Sequence, residues 1–222
     1  MRYISLCKNR VNNERREEKG MENNSKSVKA GDYIYFASGR WCVLDVEDEL
    51  ALCVSKKTIG PFPFSEKGNN YLESKLKKYI DLYAERLLIL ADEEEKKHKN
   101  APKNSSDCLF LYGKKRFKTF SMNLANPKKR NKEENSGKNE TTILMPLRIS
   151  DCRKYSKIYC DFLEEGKSYW IADTDDKSDF PWSLTKEKYS RNYDNIFVLE
   201  SDVTDEYPVH TIAIIDISEE ED

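Results

Sequence analysis

GDYIYFASGRWCVLDVEDELALCVSKK, residues 31–57, decides the fold. Two apolar runs, RWCVLDV and LALCVSK, flank Glu47-Asp48-Glu49, a charged centre without glycine. Runs rich in β-formers on either side of such a centre predict a β-hairpin, although without a glycine the turn type stays open. Residues 32–36 (DYIYF) read as a further strand. Val43, Leu44, Val46, Leu50, Leu52 and Val54 are core candidates of the hairpin. Trp41 is assigned to the core as well, because a tryptophan within an apolar strand is most often buried. Cys42 and Cys53 face each other across the hairpin in one register and not in the neighbouring one.

Outward from the hairpin, GPFPFSEKGNN (60–70) reads as a loop. A helix is predicted over 71–90, where Leu72, Leu76, Tyr79, Ile80, Tyr83, Leu87 and Leu90 recur at three- and four-residue steps. Asn70 is its candidate cap, Glu73 and Lys77 form an i, i+4 pair, and ADEEEKKHK suggests a second short helix. Residues 100–142 read as a basic insertion, with ten Lys or Arg against four Asp or Glu, a net of +6. Within it CLFLYGKKRFKTFSMNL suggests a hairpin around Gly113. TILMPLRIS then reads as a strand, and SDCRKYSKIYCDFLEEG as a helix with Ser150 at its N-cap and Gly166 past its end. Ile149, Cys152, Tyr155, Ile158, Tyr159 and Phe162 make its apolar stripe. SYWIAD is a strand, residues 174–194 a long polar loop, and NIFVLES and HTIAIIDI the last strands. Strands neighbour one another and helices come in two blocks, so the class is α+β.

The 222 residues suit one domain, expected over 28–217 between a flexible polar tail (1–27) and an acidic tail (218–222). Met21 is an alternative start. A net charge of −2 gives no global attraction to nucleic acid or membrane. No apolar run reaches the roughly 18 residues of a membrane span, and residues 1–20 lack a signal-peptide core. The expectation is a cytoplasmic protein of bacterial or phage origin, in which the six cysteines are free thiols. No Cys-x-x-Cys spacing points to zinc, and no cofactor is expected.

The order GDYIYF, WCVLDV, LALCVSKK is similar to the opening of a widespread bacterial domain family of uncharacterised function. LESKLKKYIDLY resembles that family's next helix, LMPLRISDCRKY a later strand and helix, SYWIAD its tryptophan-bearing strand with Trp170 kept, and YPVHTIAIID its final strands. The family looks related to the C-type-lectin fold, the scaffold of formylglycine-generating enzymes and of the variable proteins of diversity-generating retroelements. The resemblance covers residues 28–217 and implies a small mixed sheet with two helices packed around it. The family's Trp-Leu-Arg-Ser arginine is replaced here, since Ile171, Ala172 and Asp173 follow Trp170, and nothing catalytic carries over.

Three functional readings remain open. The first is a non-enzymatic protein-binding or accessory module, which would suit a role in phage–host defence. Its contact surfaces would be Phe180 and Trp182 in the polar loop, and Tyr112, Phe117 and Phe120 in the basic segment. The second is a nucleic-acid-binding accessory protein using Lys114, Lys115, Arg116, Lys118, Lys128, Lys129, Arg130 and Lys132 among those aromatics. The third is an enzyme of unrecognised type, although no P-loop, G-x-S-x-G or G-x-G-x-x-G is present and His98 and His210 lack catalytic neighbours. Asp173, Asp175, Asp176 and Asp179 are weighed as a calcium loop. Position six is Ser178 and position twelve Leu184, where an EF-hand needs glycine and glutamate. Cys152 and Cys160 read as buried apolar residues.

Overall fold

The computed structural model describes residues 27–98, 104–105, 108–122, 140–174, 180–189 and 193–218. Strands β1 (Tyr33–Phe36), β2 (Gly39–Glu47), β3 (Leu50–Ser55) and β4 (Ile59–Pro63) come first. A 3-10 turn, Tyr71–Glu73, leads into α1 (Lys75–His98). Six short strands follow: β5 (Asn104–Ser105), β6 (Cys108–Phe110), β7 (Phe117–Lys118), β8 (Phe120–Met122), β9 (Glu140–Thr142) and β10 (Met145–Pro146). Then come α2 (Ile149–Lys154), α3 (Ser156–Phe162), β11 (Ser168–Thr174), β12 (Pro181–Tyr189), β13 (Tyr193–Glu200), β14 (Glu206–Val209) and β15 (Thr211–Asp216). The class is α+β and mostly sheet. The main sheet runs β10-β15-β3-β2-β1-β6-β5 with β7 paired to β15, and a second sheet runs β11-β12-β13. β14 with β4 and β8 with β9 form two-stranded ribbons.

Tight turns set the register of the opening meander. Phe36 pairs with Gly39 around Ala37 and Ser38, whose φ values are +50° and +59°. Two left-handed residues match the twist of a hairpin, which is why two-residue turns take this form. The next turn pairs Glu47 with Leu50, and there Asp48, at φ +53°, supplies the left-handed step that glycine usually takes. Cys42 lies opposite Val54, and Cys53 opposite Val43, so the register is the one that keeps these thiols apart. A register shift between Val43 and Asp45 inserts Leu44 as an extra buried residue.

Ile34, Phe36, Trp41 and Val43 turn inward and are buried. The Trp41 indole donates to Phe36 O at 3.0 Å. Trp170 donates to Phe62 O at 2.8 Å, with Phe64 and Tyr207 rings at 5.3 and 4.8 Å. Both tryptophans are therefore core residues with their one polar atom satisfied.

Several sequence expectations change. Residues 60–70 are not all loop, because β4 pairs antiparallel with β14. Asn70 caps the 3-10 turn through Leu72 N–H at 3.1 Å, while Ser74 Oγ accepts from Lys77 N–H at 3.0 Å and starts α1. Glu73 thus lies outside the helix, and Lys77 pairs with Asp81 at 2.7 Å instead. The charged stretch expected as a second helix continues α1 to His98. The expected hairpin around Gly113 is replaced by strands with different partners, β6 parallel to β1 and β7 antiparallel to β15. The stretch read as an insertion therefore contributes to the main sheet.

The later helix breaks at Tyr155 (φ −112°, ψ 27°) into α2 and α3, and Cys152 is buried as expected. Ser150 lies inside α2 and is not its cap. The Asp173 carboxylate, reaching across from β11, accepts from Ile149 N–H at 2.6 Å. The long polar loop is overturned over 181–189. β12 is the central strand of the second sheet, paired with β13 from Trp182–Glu200 to Tyr189–Tyr193. Its polar residues are buried against matching ones, with Ser183 Oγ 2.8 Å from Ser201 Oγ and Thr185 Oγ1 2.7 Å from Ser168 Oγ. Among the described residues no helix is long and apolar enough to cross a membrane.

His210, only 3% exposed, joins the two sheets. Its Nδ1–H donates to Ser55 O at 2.9 Å and its ring lies 5.0 Å from Tyr169. Burial lowers its pKa from 6.5 to about 4, so the folded protein holds it neutral. The unfolded chain takes up that proton first, so stability is complete above the unfolded pKa and falls as pH drops toward the folded one. The loss reaches about 3 kcal/mol. Urea titrations from pH 7 to 4 should show this slope in the wild type, and His210→Gln should lessen it, leaving the smaller share of the carboxylates near pH 4.

Candidate functional site

The basic segment is tied down on its own protein. Arg116 is 8% exposed. Its guanidinium donates to three backbone carbonyls, Tyr112 O at 3.1 Å and Asp216 O and Ser218 O at 3.0 Å each. Lys118 pairs with Asp216 at 2.8 Å. Burial raises the Asp216 pKa, but the Lys118 ammonium and the Ser218 hydroxyl outweigh it and hold the carboxyl at about 2. Lys114 lies 3.4 Å from Asp92 of α1, whose carboxyl is held low by Lys96 and Lys114 together. Tyr112 stacks on His98 at 5.1 Å.

Phe117, 6% exposed, packs between Phe36 and Trp41 with centroids at 4.6 and 6.2 Å, and Phe120 packs against the same core. Phe117 and Arg116 are therefore structural, a correction to their reading as contact residues. Lys115 remains exposed. Lys128, Lys129, Arg130 and Lys132 lie outside the described residues.

Phe180 is 48% exposed where β12 begins. Trp182 belongs to the strand and is partly buried against the core, so it is not the loop anchor expected of it. Asp173, half-buried, has its pKa raised by desolvation and serves as the cap of α2. Asp175, Asp176 and Asp179 lie outside the described residues. Among the described residues no three His, Cys, Asp or Glu gather as a metal site.

A different surface brings together residues that the sequence does not single out one by one. In β1 the pattern YIYF sends Ile34 and Phe36 inward, so Tyr33 and Tyr35 point to the other face. Tyr35 pairs with Arg40 on β2 and with Phe110 on β6. One step beyond the Trp41–Ser55 pair, Lys56 N–H donates to Arg40 O at 2.8 Å. Directly paired residues share a face, so Lys56, Arg40, Tyr35 and Phe110 form a row across four neighbouring chain segments. Tyr35 is 36% exposed, Arg40 and Lys56 are exposed, and Phe110 is half-buried. The Tyr35 and Phe110 rings touch at 5.4 Å, and the Arg40 guanidinium lies 4.4 Å above Tyr33.

No protein-family model, curated protein or solved structure matches the chain.

The function of this surface must therefore be argued from its chemistry. Tyrosine and arginine are the types enriched at binding hot spots, and a sheet holds them more rigidly than a loop would. The signal for Tyr35 is present in the period-2 alternation of YIYF. The signal for Arg40 depends on a two-residue turn, and that for Phe110 on a long-range parallel pairing.

Arg116→Ala should cost about 2–4 kcal/mol, because it leaves buried carbonyls without their charged donor. Lys115→Ala should stay within about 0.5 kcal/mol. Thermal and denaturant unfolding of the two variants checks both.

Proposed function

We propose that this protein is a non-enzymatic binding module, a C-type-lectin-like α+β scaffold that engages another protein through the Lys56-Arg40-Tyr35-Phe110 row. The observation that carries this reading is Tyr35, 36% exposed on the face of the main sheet opposite Trp41, between Arg40 and Phe110. An aromatic pair beside a stacked guanidinium is the composition of a hot spot, and its backbone is already ordered before any partner arrives. Phe180 is a second exposed aromatic, just before the central strand of the other sheet. An accessory role in phage–host defence suits a small binder of this kind. The deeply buried titratable groups Cys53, Cys152 and His210 owe their shifts first to burial in the core, which fits packing roles better than acid–base chemistry.

The nucleic-acid reading is weakened, because Lys114, Arg116 and Lys118 are engaged within the protein. The decisive test is affinity capture of the full chain from its native lysate, with and without nuclease, beside Tyr35→Ala and Arg40→Ala variants. A defined protein partner should survive nuclease and be lost by at least about tenfold with either substitution, since a hot-spot truncation costs roughly 2 kcal/mol. Unchanged capture by both variants would sink this surface. Loss of every partner on nuclease treatment would replace the protein reading with nucleic acid.

A further inference from the structure

We infer that the segment received by this row is acidic, with carboxylates on Arg40 and Lys56 and an apolar side chain on Tyr35 and Phe110. This inference rests on the binding-module reading and deepens it. The row is polarised. Its cations lie on the β3–β2 side and its rings on the β1–β6 side. Four segments at sheet spacing span about 14 Å. That distance matches four or five residues of an extended peptide, and it places a charged and an apolar group of such a peptide over opposite ends.

The Arg40 guanidinium lies over the Tyr33 ring at 4.4 Å, so one face of the fork is occupied. Its N–H edge is the part suited to a carboxylate, which it can take in bidentate fashion. Lys56, exposed at the neighbouring position and itself in contact within the protein, adds a second positive charge to this end of the row. Lys56, Asp161 and Asp32 all lie close enough to act on the buried Cys42 thiol, one row below. A single-stranded nucleic acid fits the row less well. It would need a cation at each successive phosphate, alternating with stacking rings, and here the cations are gathered at one end.

The test uses the full chain and three fluorescent probes in anisotropy titrations: the peptide GEEFEEWG, its glutamine analogue GQQFQQWG, and an oligouridine of about twelve nucleotides. The acidic peptide should bind about tenfold or more tightly than the glutamine analogue and weaken as salt rises. Arg40→Gln should reduce the acidic peptide to the affinity of the analogue while leaving the analogue unchanged. Arg40→Lys, which keeps the charge and loses the fork, should fall between them. Thermal midpoints equal to wild type confirm that these exposed-site variants fold.

Equal affinity for both peptides, abolished by Tyr35→Ala, would overturn the acidic preference and leave the binding surface standing. The acidic preference also falls, with the surface intact, if no peptide binds while Tyr35→Ala still abolishes capture of the native partner. Tightest binding of the oligouridine, lost with Arg40→Gln, would overturn the acidic-peptide assignment in favour of nucleic acid. Indifference of every probe and of native capture to Tyr35→Ala and Arg40→Gln would remove the surface and the inference together.

Discussion

The pairing of Phe36 with Gly39 around a two-residue turn governs both faces of the main sheet. Side chains alternate with a period of two, so a slip of one residue would exchange every inward position for an outward one. With the observed register Ile34 and Phe36 meet Trp41 and Phe117 inside, and Tyr35 meets Arg40 outside. The Trp41 indole reinforces the choice by donating to Phe36 O across that same turn. The core and the candidate surface are therefore two consequences of one constraint. A substitution that allowed the turn to lengthen would disturb both.

Polar groups close the structure where apolar pattern runs out. α2 begins without a side-chain cap of its own and borrows Asp173 from β11. β12 buries Ser183 and Thr185 by pairing their hydroxyls with Ser201 and Ser168. The chain leaving β15 is held through its carbonyls by Arg116. Each contact joins residues far apart in sequence, and each is the kind that costs most when one partner is lost, because the other remains buried and unsatisfied.

The same contacts mark the boundary of what is legible in the sequence. The meander, α1, the tryptophan-bearing β11 and the last strands announce themselves through local periodicity, which the structure keeps. Ser150 looks like the cap of α2 because the true acceptor lies over twenty residues away. β12 reads as loop because its inward side chains are small and polar, and only their partners on β11 and next to β13 make burial tolerable. The basic segment reads as an exposed surface because its counter-charges, Asp92 and Asp216, come from α1 and from the end of β15. Tyr35 is visible in the alternation of YIYF, but its neighbours Arg40 and Phe110 require the strand pairings.

The charge of the molecule follows the same logic. A net of −2 conceals an internal sorting in which a basic stretch holds acidic elements in place. An exposed ion pair contributes little stability, about 0–1 kcal/mol, so Lys114 and Lys118 add little to the hold on the segment. Arg116 is different. Its guanidinium is removed from water and directed at backbone oxygens, so its value lies in closing the sheet. Arg40 has the opposite environment, exposed and supported by one aromatic face. Two arginines with the same intrinsic chemistry are thus divided by burial: one is removed from water and completes the fold, and the other stays exposed against a single tyrosine ring.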